Sequence, residues 1–388
     1  MRHILYILLV LFVSSLIIFD LDTNVQYSNM ANILLLGGVS IEMLITRDIR
    51  IFRQNIIAKH YLFFLIFSFF SITWAVNYDL SISYFNRLIV AYLDIVIIYY
   101  IISKYNIQNS ILIGILIGTL YNYLIAFNIL KPNFETYEFG RFLGSVGNPN
   151  KLSRILILNL FVSLFFLRRD NNSFFKIIIV ANILLTFYLT FLTVSKKGMF
   201  LIPLIILLSV DYRKIKIKKI LSYSVLIIIF FSLLVRLVPD EIKTEFYEKN
   251  IYRIESFFSG VSGHTGDDST YARMILVKDG IKLFYENPII GVGLNNFRVF
   301  LGKYAHNNYL EVAVNTGIIG FVLFYIIYFH LFKNVIKVND KILRRLLVSA
   351  IVVILIMDFT TVTYFDKLVI IFLVYIYSIS KNTKSLSA

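Results

Sequence analysis

Long apolar stretches separated by short polar ones run along the whole chain. Runs of roughly 16 to 24 mostly apolar residues recur over its 388 positions, close to the length that a helix needs to cross a bilayer. The pattern predicts twelve membrane segments. They cover residues 4–19, 29–46, 61–76, 85–103, 110–130, 152–167, 174–194, 199–210, 220–238, 307–332, 346–361 and 368–380.

The predicted fold is therefore an all-α polytopic membrane protein. No stretch is polar enough to form a separate soluble domain, so residues 1–388 form a single integral membrane domain, with one large loop at 239–306. The first segment follows only Met1, Arg2 and His3 and lacks a small-residue cleavage site. It is predicted to be a membrane helix rather than a removed signal peptide.

Composition narrows the classes of function. The chain is 58% hydrophobic, contains no cysteine and has a formal net charge of +15. Disulfide and thiol chemistry are excluded. In a membrane protein such an excess of positive charge indicates cytoplasmic loops that face anionic lipid, not nucleic acid.

The basic residues also predict the topology. Four clusters fall on one side of the membrane if the N-terminus is cytoplasmic: Arg47 to Lys59, Arg168 to Arg169, Arg213 to Lys219, and Lys333 to Arg345. The short loops 20–28 and 77–84 on the other side contain no Lys or Arg. The positive-inside rule therefore predicts that both termini are cytoplasmic.

Four predicted external segments nevertheless carry basic residues. They are 131–151, 195–198, 239–306 and 362–367. Long loops tolerate such charge, whereas short ones require a reason for it. These segments are where we searched for functional residues.

Segment 131–151 contains Arg141 just before a turn built by Gly144, Gly147 and Pro149. Asn148 and Asn150 flank the proline and are candidate caps for the next helix. Arg141 is either a surface arginine on a connecting loop or a guanidinium that binds phosphate in a bidentate manner. The residues alone do not separate the two.

The turn Ser195-Lys196-Lys197-Gly198 joins two membrane segments almost without a spacer. Its lysines can extend to lipid headgroups or bind an anionic headgroup of a substrate. We favour the first role for Lys197 and leave both open for Lys196.

The large loop has internal order. Residues 240–258 and 271–285 show apolar positions at helical spacing, which predicts two amphipathic helices on the membrane surface or over the bundle. The linker between them is rich in Gly and Ser and contains His264, to which we assign no role. Arg273 falls in the first turn of the second helix, where it is either a solvated residue or part of an anion site.

The end of this loop has the densest cluster of glycine and polar residues. Gly291 and Gly293 permit a close approach of the backbone. His306 and Asn307 directly precede the tenth segment, which carries Glu311 one turn inside and a Gly317/Gly320 pair suited to close helix contact. A histidine at a membrane boundary is often structural, but this neighbourhood favours a functional role for His306.

Several charges fall inside predicted membrane segments and should pair or face a cavity. For Arg87 and Asp94, two turns apart in one segment, structural pairing between helices is the preferred interpretation. The others are Glu42, Arg154, Arg236 and Asp358.

Together these motifs resemble the O-antigen ligase and O-antigen/capsule polymerase family of membrane glycosyltransferases. The resemblance covers the topology of the whole chain and four local motifs. The motifs are Arg141 to Asn150; Ser195-Lys196, where the family commonly has Ser-Arg; Arg273 followed by Pro288 to Gly293 and Phe297; and His306-Asn307 with Leu310, Gly317 and Gly320. Lys196 departs from the pattern, because an ammonium lacks the planar fork of arginine.

The resemblance implies a GT-C-like fold in the bacterial inner membrane with an active site on the external face. The implied substrate is an undecaprenyl-pyrophosphate-linked oligosaccharide, with membrane lipid and other polysaccharide-assembly proteins as partners. It implies that His306 is the catalytic base and that Arg141, Arg273 and Lys196 bind pyrophosphate. Asn148, Gly291, Gly293 and Asn307 would position the loops. No cofactor or metal is expected.

The preferred function is polymerisation of lipid-linked repeat units of O-antigen, capsule or exopolysaccharide. A composition rich in Ile, Asn and Lys is typical of an AT-rich bacterial genome and weakly favours capsule or exopolysaccharide. A ligase of the same chemistry is the alternative. A lipid-linked sugar transporter or flippase is the second alternative. It is disfavoured because the sequence shows no internal repeat, because only Pro203 of the five prolines lies inside a predicted helix, and because the polar residues concentrate at the external face rather than near the midplane.

Overall fold

The computed structural model describes residues 1–21, 24–47, 55–138, 140–169, 172–209, 244 and 268–385, and almost all of them are helical. The helices are α1 (Arg2–Ile18), α2 (Val25–Thr46), α3 (Ile56–Ser71), α4 (Tyr78–Tyr105), α5 (Asn109–Ala126), α6 (Pro149–Arg169), α7 (Ser173–Thr193), α8 (Lys196–Ser209), α9 (Asp268–Glu286), α10 (Phe297–Leu301), α11 (Asn308–Val335), α12 (Lys341–Asp358) and α13 (Lys367–Ser385). A hairpin of two short strands, β1 (Tyr137–Glu138) and β2 (Arg141–Phe142), lies between α5 and α6.

Each predicted membrane segment that falls within the described residues overlaps one of these helices. The predicted amphipathic helix at 271–285 is α9. The predicted segment 220–238, the amphipathic helix 240–258 except for Thr244, and His264 lie outside the described residues.

Within the described residues, seven helices are long and apolar enough to cross a membrane. They are α2, α3 with the 3-10 turn that follows it, α4, α5, α6, α7 and α11. Large apolar side chains face outward from them; Ile33 and Leu44 of α2, for example, are 66% and 79% exposed. The prediction of a helical, multi-pass membrane protein is confirmed, whereas the count of twelve spans stays a prediction.

The centre of the bundle is occupied by α13. From Leu368 to Ser380 this helix is buried on every side, as expected for a helix that is apolar all round. It packs mainly against α4 and α11. The first residues of α13 lie close to the start of α4 and of α11, and polar side chains cluster at this end of the bundle.

Small residues bring α1 and α5 close together. A Cβ atom added at Gly114 or Gly118 would lie only 2.7 Å from the Cβ atom of Val13 or Ile17. Because the interior of a bilayer gives helices no hydrophobic force of association, such close contact between backbones is a main source of packing energy.

Ion pairs mark the two ends of the bundle. At one end, Lys151 pairs with Asp20, and Arg154 at the start of α6 pairs with Asp366 just before α13. We call this end the site end. At the opposite end, Lys104 Nζ lies 2.6 Å from Glu42 Oε1. The expectation that Glu42 and Arg154 find partners is confirmed, whereas Arg87 stacks on Tyr84, with 4.6 Å between its guanidinium carbon and the ring centre.

Helix α11 is broken at Gly317. This glycine has φ 62° and ψ −170°, outside the helical region. The prediction that Gly317 serves close helix contact was therefore incomplete.

The end of the large loop fills this break. The amides of Ile318 and Ile319 donate to the carbonyls of Pro288 and Ile289, at 2.9 and 3.3 Å. In the other direction, Val292 N donates to Val314 O at 2.9 Å, and Gly293 N donates to Asn315 O at 3.0 Å. Backbone groups freed by the break are thus satisfied by protein, which is how non-helical backbone is tolerated at membrane depth.

Gly317→Ala should destabilise the fold severely. An added Cβ would lie 2.1 Å from Ile289 O, and the positive φ disfavours any side chain. We expect a loss of about 2–5 kcal/mol of unfolding free energy, measured as a lower thermal unfolding midpoint in detergent. Gly37→Ala is the matched control, since nothing lies within 4 Å of its added Cβ. An unchanged midpoint for Gly317→Ala would contradict the assigned role of the break.

Candidate functional site

The hairpin before α6 fixes Arg141 at the site end. Arg141 pairs with Glu138 in the β1–β2 register. Its Nε donates to Thr193 O at 3.1 Å, at the end of α7, and its Nη2 donates to Asn150 Oδ1 at 3.4 Å. The predicted loop 131–151 and the predicted turn 195–198 are therefore in contact, although more than 40 residues separate Arg141 from Thr193.

The two asparagines that flank Pro149 have different roles. Asn148 caps α6, because its Oδ1 accepts from the amides of Asn150 and Lys151 at 2.9 and 3.1 Å. Asn150 instead links the segments: its Oδ1 accepts from Ser195 Oγ at 3.1 Å as well as from Arg141. The exposed side chain of Asn148 thus holds the first turn of α6 in place.

The structure contradicts the role that was favoured for Lys197, the second residue of α8. Lys196 is exposed, whereas the Nζ atom of Lys197 is buried and has no hydrogen-bond partner among the described residues. Lys197 therefore does not extend its ammonium to solvent or to headgroups. The next residue, Gly198, is closely packed, since a Cβ added there would lie 2.1 Å from Ser153 Oγ.

Charged side chains surround this buried lysine. The charges of Arg154, Arg273, Asp366 and Asp358 all act on Lys197. Both carboxylates already have partners. Asp366 pairs with Arg154, and Asp358 accepts from Tyr325, Asn308 and Thr363.

The loop that carries Gly291 and Gly293 is bound firmly to the bundle. A Cβ added at Gly291 would lie 2.5 Å from Gly317 N, and one at Gly293 would lie 2.7 Å from the Cα atom of Ala75. Leu294 N donates to Ser71 Oγ at 3.1 Å, and Phe297 N donates to Asn315 Oδ1 at 2.7 Å. The glycines allow these approaches, so they hold the loop in place by backbone contacts.

His306 lies at the start of α11 in a strained conformation. Its φ is 53°, in the left-handed region that few non-glycine residues occupy. The next residue, Asn307, caps α11 by accepting from Leu310 N at 3.1 Å. Glu311 stabilises the loop that precedes α11, because its buried Oε2 accepts from Ala305 N at 2.6 Å. Backbone strain of this kind concentrates at functional sites.

The surroundings of His306 favour its neutral form. Burial, followed by the positive charges of Arg273 and Lys303, lowers the pKa of His306 to about 4. Its ring also contacts the ring of Tyr304, with 3.9 Å between their centres. A neutral imidazole with an unprotonated nitrogen is the form that accepts a proton.

Helix α9 brings Arg273 to this histidine. Leu276 and Leu283 of α9 pack in a small core with Phe297, Ala305 and Val314. Met274 and Tyr285 remain 63% and 75% exposed. The predicted amphipathic helix thus covers the bundle with one face, and the exposed side chain of Arg273 acts on both His306 and Lys197.

The site end therefore contains Arg141, Lys197, Arg273 and His306. Arg141 lies at the turn before α8, Lys197 follows that turn, and Arg273 connects Lys197 electrostatically to His306. Sequence analysis assigned no role at this site to Arg154, Asp366 or Tyr304. The signal for Arg154 was present, since an arginine inside a predicted membrane segment requires a partner.

For the glycan transfer that the family resemblance implies, Glu311→Ala should lower turnover without weakening donor binding. It removes the acceptor of the buried Ala305 amide, so the loop before His306 loses its fixed conformation at a cost of about 1–3 kcal/mol. The measurement is the rate of transfer at saturating donor, compared with the donor KM. Glu311→Gln is the control, because its side-chain carbonyl still accepts; equal losses in both variants would indicate that the charge matters rather than the hydrogen bond.

These features define a helical, multi-pass membrane protein with a cationic polar site and a neutral histidine at one end of its bundle. Residues 181–325 match the family model described as O-Antigen ligase. The matched region includes the Ser195-Lys196 turn, Arg273, the loop at 288–293 and His306, and it confirms the resemblance to the O-antigen ligase and polymerase family. No curated protein matches the chain significantly.

Proposed function

We propose that this protein is a glycosyltransferase that moves a glycan from a polyprenyl pyrophosphate to the hydroxyl of an acceptor sugar. The match of residues 181–325 to O-Antigen ligase supports this class of activity. The observation that carries the proposal is that the positive charge of Arg273 acts on His306. The two chemical needs of the reaction are a cation for the leaving group and a base for the acceptor.

The leaving group is undecaprenyl pyrophosphate, which gains negative charge as its bond to the sugar breaks. Arg273 and Arg141 are proposed to bind it, since preorganised charges aimed at developing charge supply about 3–4 kcal/mol per contact. Lys196, which is exposed beside the same turn, is proposed as a weaker, outer contact. Asn148, Asn307, Gly291 and Gly293 are proposed to position the loops that carry these groups.

The acceptor hydroxyl is a poor nucleophile until it loses its proton. His306 is proposed to accept that proton while the acceptor oxygen bonds to the anomeric carbon and the carbon–pyrophosphate bond breaks. A single displacement of this kind inverts the anomeric centre. Since donors on a polyprenyl carrier are used outside the cytoplasm, we propose that the site end faces the external side of the inner membrane, with both termini in the cytoplasm and residues 1–388 acting as one membrane domain.

The low pKa of His306 in the free enzyme is compatible with its proposed role as the base. The positive charge of Arg273 contributes to lowering the pKa of His306. A pyrophosphate bound to Arg273 would offset that charge, so donor binding should raise the basicity of His306 when the acceptor needs it. The base would then be strengthened only in the loaded enzyme.

Within this class, we propose that the protein polymerises lipid-linked repeat units, as in O-antigen or capsule assembly. A ligase is the second candidate, favoured by the description of the matching family. Donor and acceptor are both lipid-linked in a polymerase. Other polysaccharide-assembly proteins would be its neighbours in the membrane.

Deletion of the gene in the native host separates these functions. Immunoblots of surface and lipid-linked glycan should show single repeat units accumulating on the lipid carrier, with no long chains. Full-length polymer retained on its carrier would indicate the ligase, and repeat units retained on the cytoplasmic leaflet would indicate a transporter or flippase. Unchanged surface glycan would contradict the whole proposal.

A further inference from the structure

Lys197 carries a buried amine, and burial, followed by the positive charges of Arg154 and Arg273, lowers its pKa to about 7. Its Nζ atom is buried without a hydrogen-bond partner among the described residues. An ammonium removed from water and left unpaired is costly. Buried polar atoms without partners are rare, and each one requires an explanation.

The surrounding charges do not supply a partner. Arg154 and Arg273 carry the same sign as Lys197, and both act on it. Asp366, the carboxylate whose charge acts on Lys197 more strongly than that of Asp358, is already paired with Arg154. Asp358 is buried and accepts from Asn308 Nδ2 at 3.2 Å and from Tyr325 OH at 3.0 Å. Three cations thus share two carboxylates that are already satisfied.

The position of Lys197 in the chain is also fixed. Gly198 lies so close to α6 and α7 that its added Cβ would be 2.1 Å from Ser153 Oγ and 2.8 Å from Thr190 Cγ2. Close packing therefore fixes the backbone at the start of α8. The side chain is held at the site end, between the turn contacted by Arg141 and the helix that carries Arg273.

We propose that Lys197, and not only the neighbouring Lys196, binds the pyrophosphate of the lipid-linked donor, together with Arg154 and Arg273. This inference rests on the proposed function and adds a binding residue to it. A pyrophosphate would supply the negative charge that the cluster lacks. The ammonium acts as a point charge with three donors, which suits a phosphate oxygen without requiring the planar geometry of arginine.

The test compares Lys197→Met with Lys131→Met, an exposed lysine in the loop before the β1–β2 hairpin. The purified full-length protein is placed in nanodiscs of phosphatidylcholine, and binding of undecaprenyl pyrophosphate is titrated. We expect binding to weaken about 10- to 100-fold in Lys197→Met, as for the loss of a charge-assisted contact, and to stay unchanged in Lys131→Met. Equal affinity of Lys197→Met and the wild type would overturn the proposal.

Thermal unfolding of the ligand-free proteins separates binding from structure. Methionine has nearly the same length and no charge, so Lys197→Met should unfold at the same or a higher temperature than the wild type, because an unpaired buried charge has been removed. A large drop in the unfolding temperature would show instead that the lysine is structural, and would overturn the proposal.

Two further measurements identify the source of the phosphate. If nanodiscs containing phosphatidylglycerol raise the unfolding temperature of the wild type through Lys197, and undecaprenyl pyrophosphate does not, the site binds a bulk lipid headgroup and the donor assignment is wrong. The wild type is also assayed for glycan transfer. Absence of transfer would refute the proposed function, whereas normal transfer with unweakened binding in Lys197→Met would refute this inference alone.

Discussion

Replacing His306 with alanine or asparagine is expected to slow glycan transfer by about 100- to 10,000-fold, the usual contribution of a general base. Asparagine is the more informative variant, because His306 has a φ of 53° and asparagine tolerates this conformation better than alanine. It keeps the backbone of the loop and removes the base. The measurement is the rate of transfer per folded protein in isolated membranes.

Donor binding should survive this change. His306 is proposed to contact the acceptor hydroxyl and not the pyrophosphate, so the affinity for undecaprenyl pyrophosphate should remain within about twofold of the wild type, less than 1 kcal/mol. Normal amounts of folded protein with single repeat units accumulating on the carrier would support both the base and the polymerase. Wild-type rates in His306→Asn would exclude this histidine from the chemistry.

Replacing Arg273 with glutamine is expected to lower transfer by about 100- to 1,000-fold, the typical cost of removing one group that stabilises developing charge. Because the side chain is exposed, folding should be unaffected. The same variant should also change the pH dependence of kcat/KM, which a loss of folded protein alone would not do.

The direction of that change follows from the charges. The neutral form of His306 is the active base, and it predominates above the pKa. Burial, Arg273 and Lys303 lower that pKa from 6.5 to about 4, so kcat/KM of the wild type should fall only below about pH 4. Without Arg273 the pKa rises, and the acidic fall should begin at a higher pH.

Lys303→Gln provides the matched control. Lys303 is exposed and is the smaller of the two charge contributions to the lowered pKa of His306. Its loss should move the acidic fall upward by less than the loss of Arg273, with little effect on the rate at neutral pH. If Arg273→Gln leaves the pH profile in place, the two side chains do not act on each other as the structure indicates.

In the part of the chain that the structure describes, the apolar pattern located the long helices of the bundle. Segment lengths, the turn at Gly144 to Pro149 and the amphipathic helix α9 follow from periodicity and from glycine and proline positions, which are local signals. Asn307 was also recognised at the boundary of its helix, and its side chain forms the cap. These features depend on residues that are neighbours in the chain.

The sequence could not show which side chains are brought together by packing. Lys196 is exposed whereas the Nζ atom of its neighbour Lys197 is buried, and the next residue, Gly198, packs against Ser153, 45 residues earlier in the chain. Likewise, the break at Gly317 requires the carbonyls of Pro288 and Ile289 as partners. Glycines at these positions signal a constraint, but only the tertiary structure identifies what each one approaches.

The broken helix also bears on the comparison with transporters. In transporters, interrupted helices place free backbone groups at a binding site. Here the backbone amides and carbonyls freed by the break at Gly317 are hydrogen-bonded to the backbone of the 288–293 loop. The break therefore anchors the loop that leads to His306, which fits an enzyme whose loop must be held in place.

The most direct test of this account is transfer by the purified protein in vesicles, with a radiolabelled glycan on undecaprenyl pyrophosphate as donor and a second lipid-linked repeat unit as acceptor. We predict that the wild type releases undecaprenyl pyrophosphate in step with the lengthening of the glycan. His306→Asn should bind the donor but release it at most about one hundredth as fast. Failure of the wild type to lengthen or transfer the glycan, or equal release by His306→Asn, would contradict the central claim.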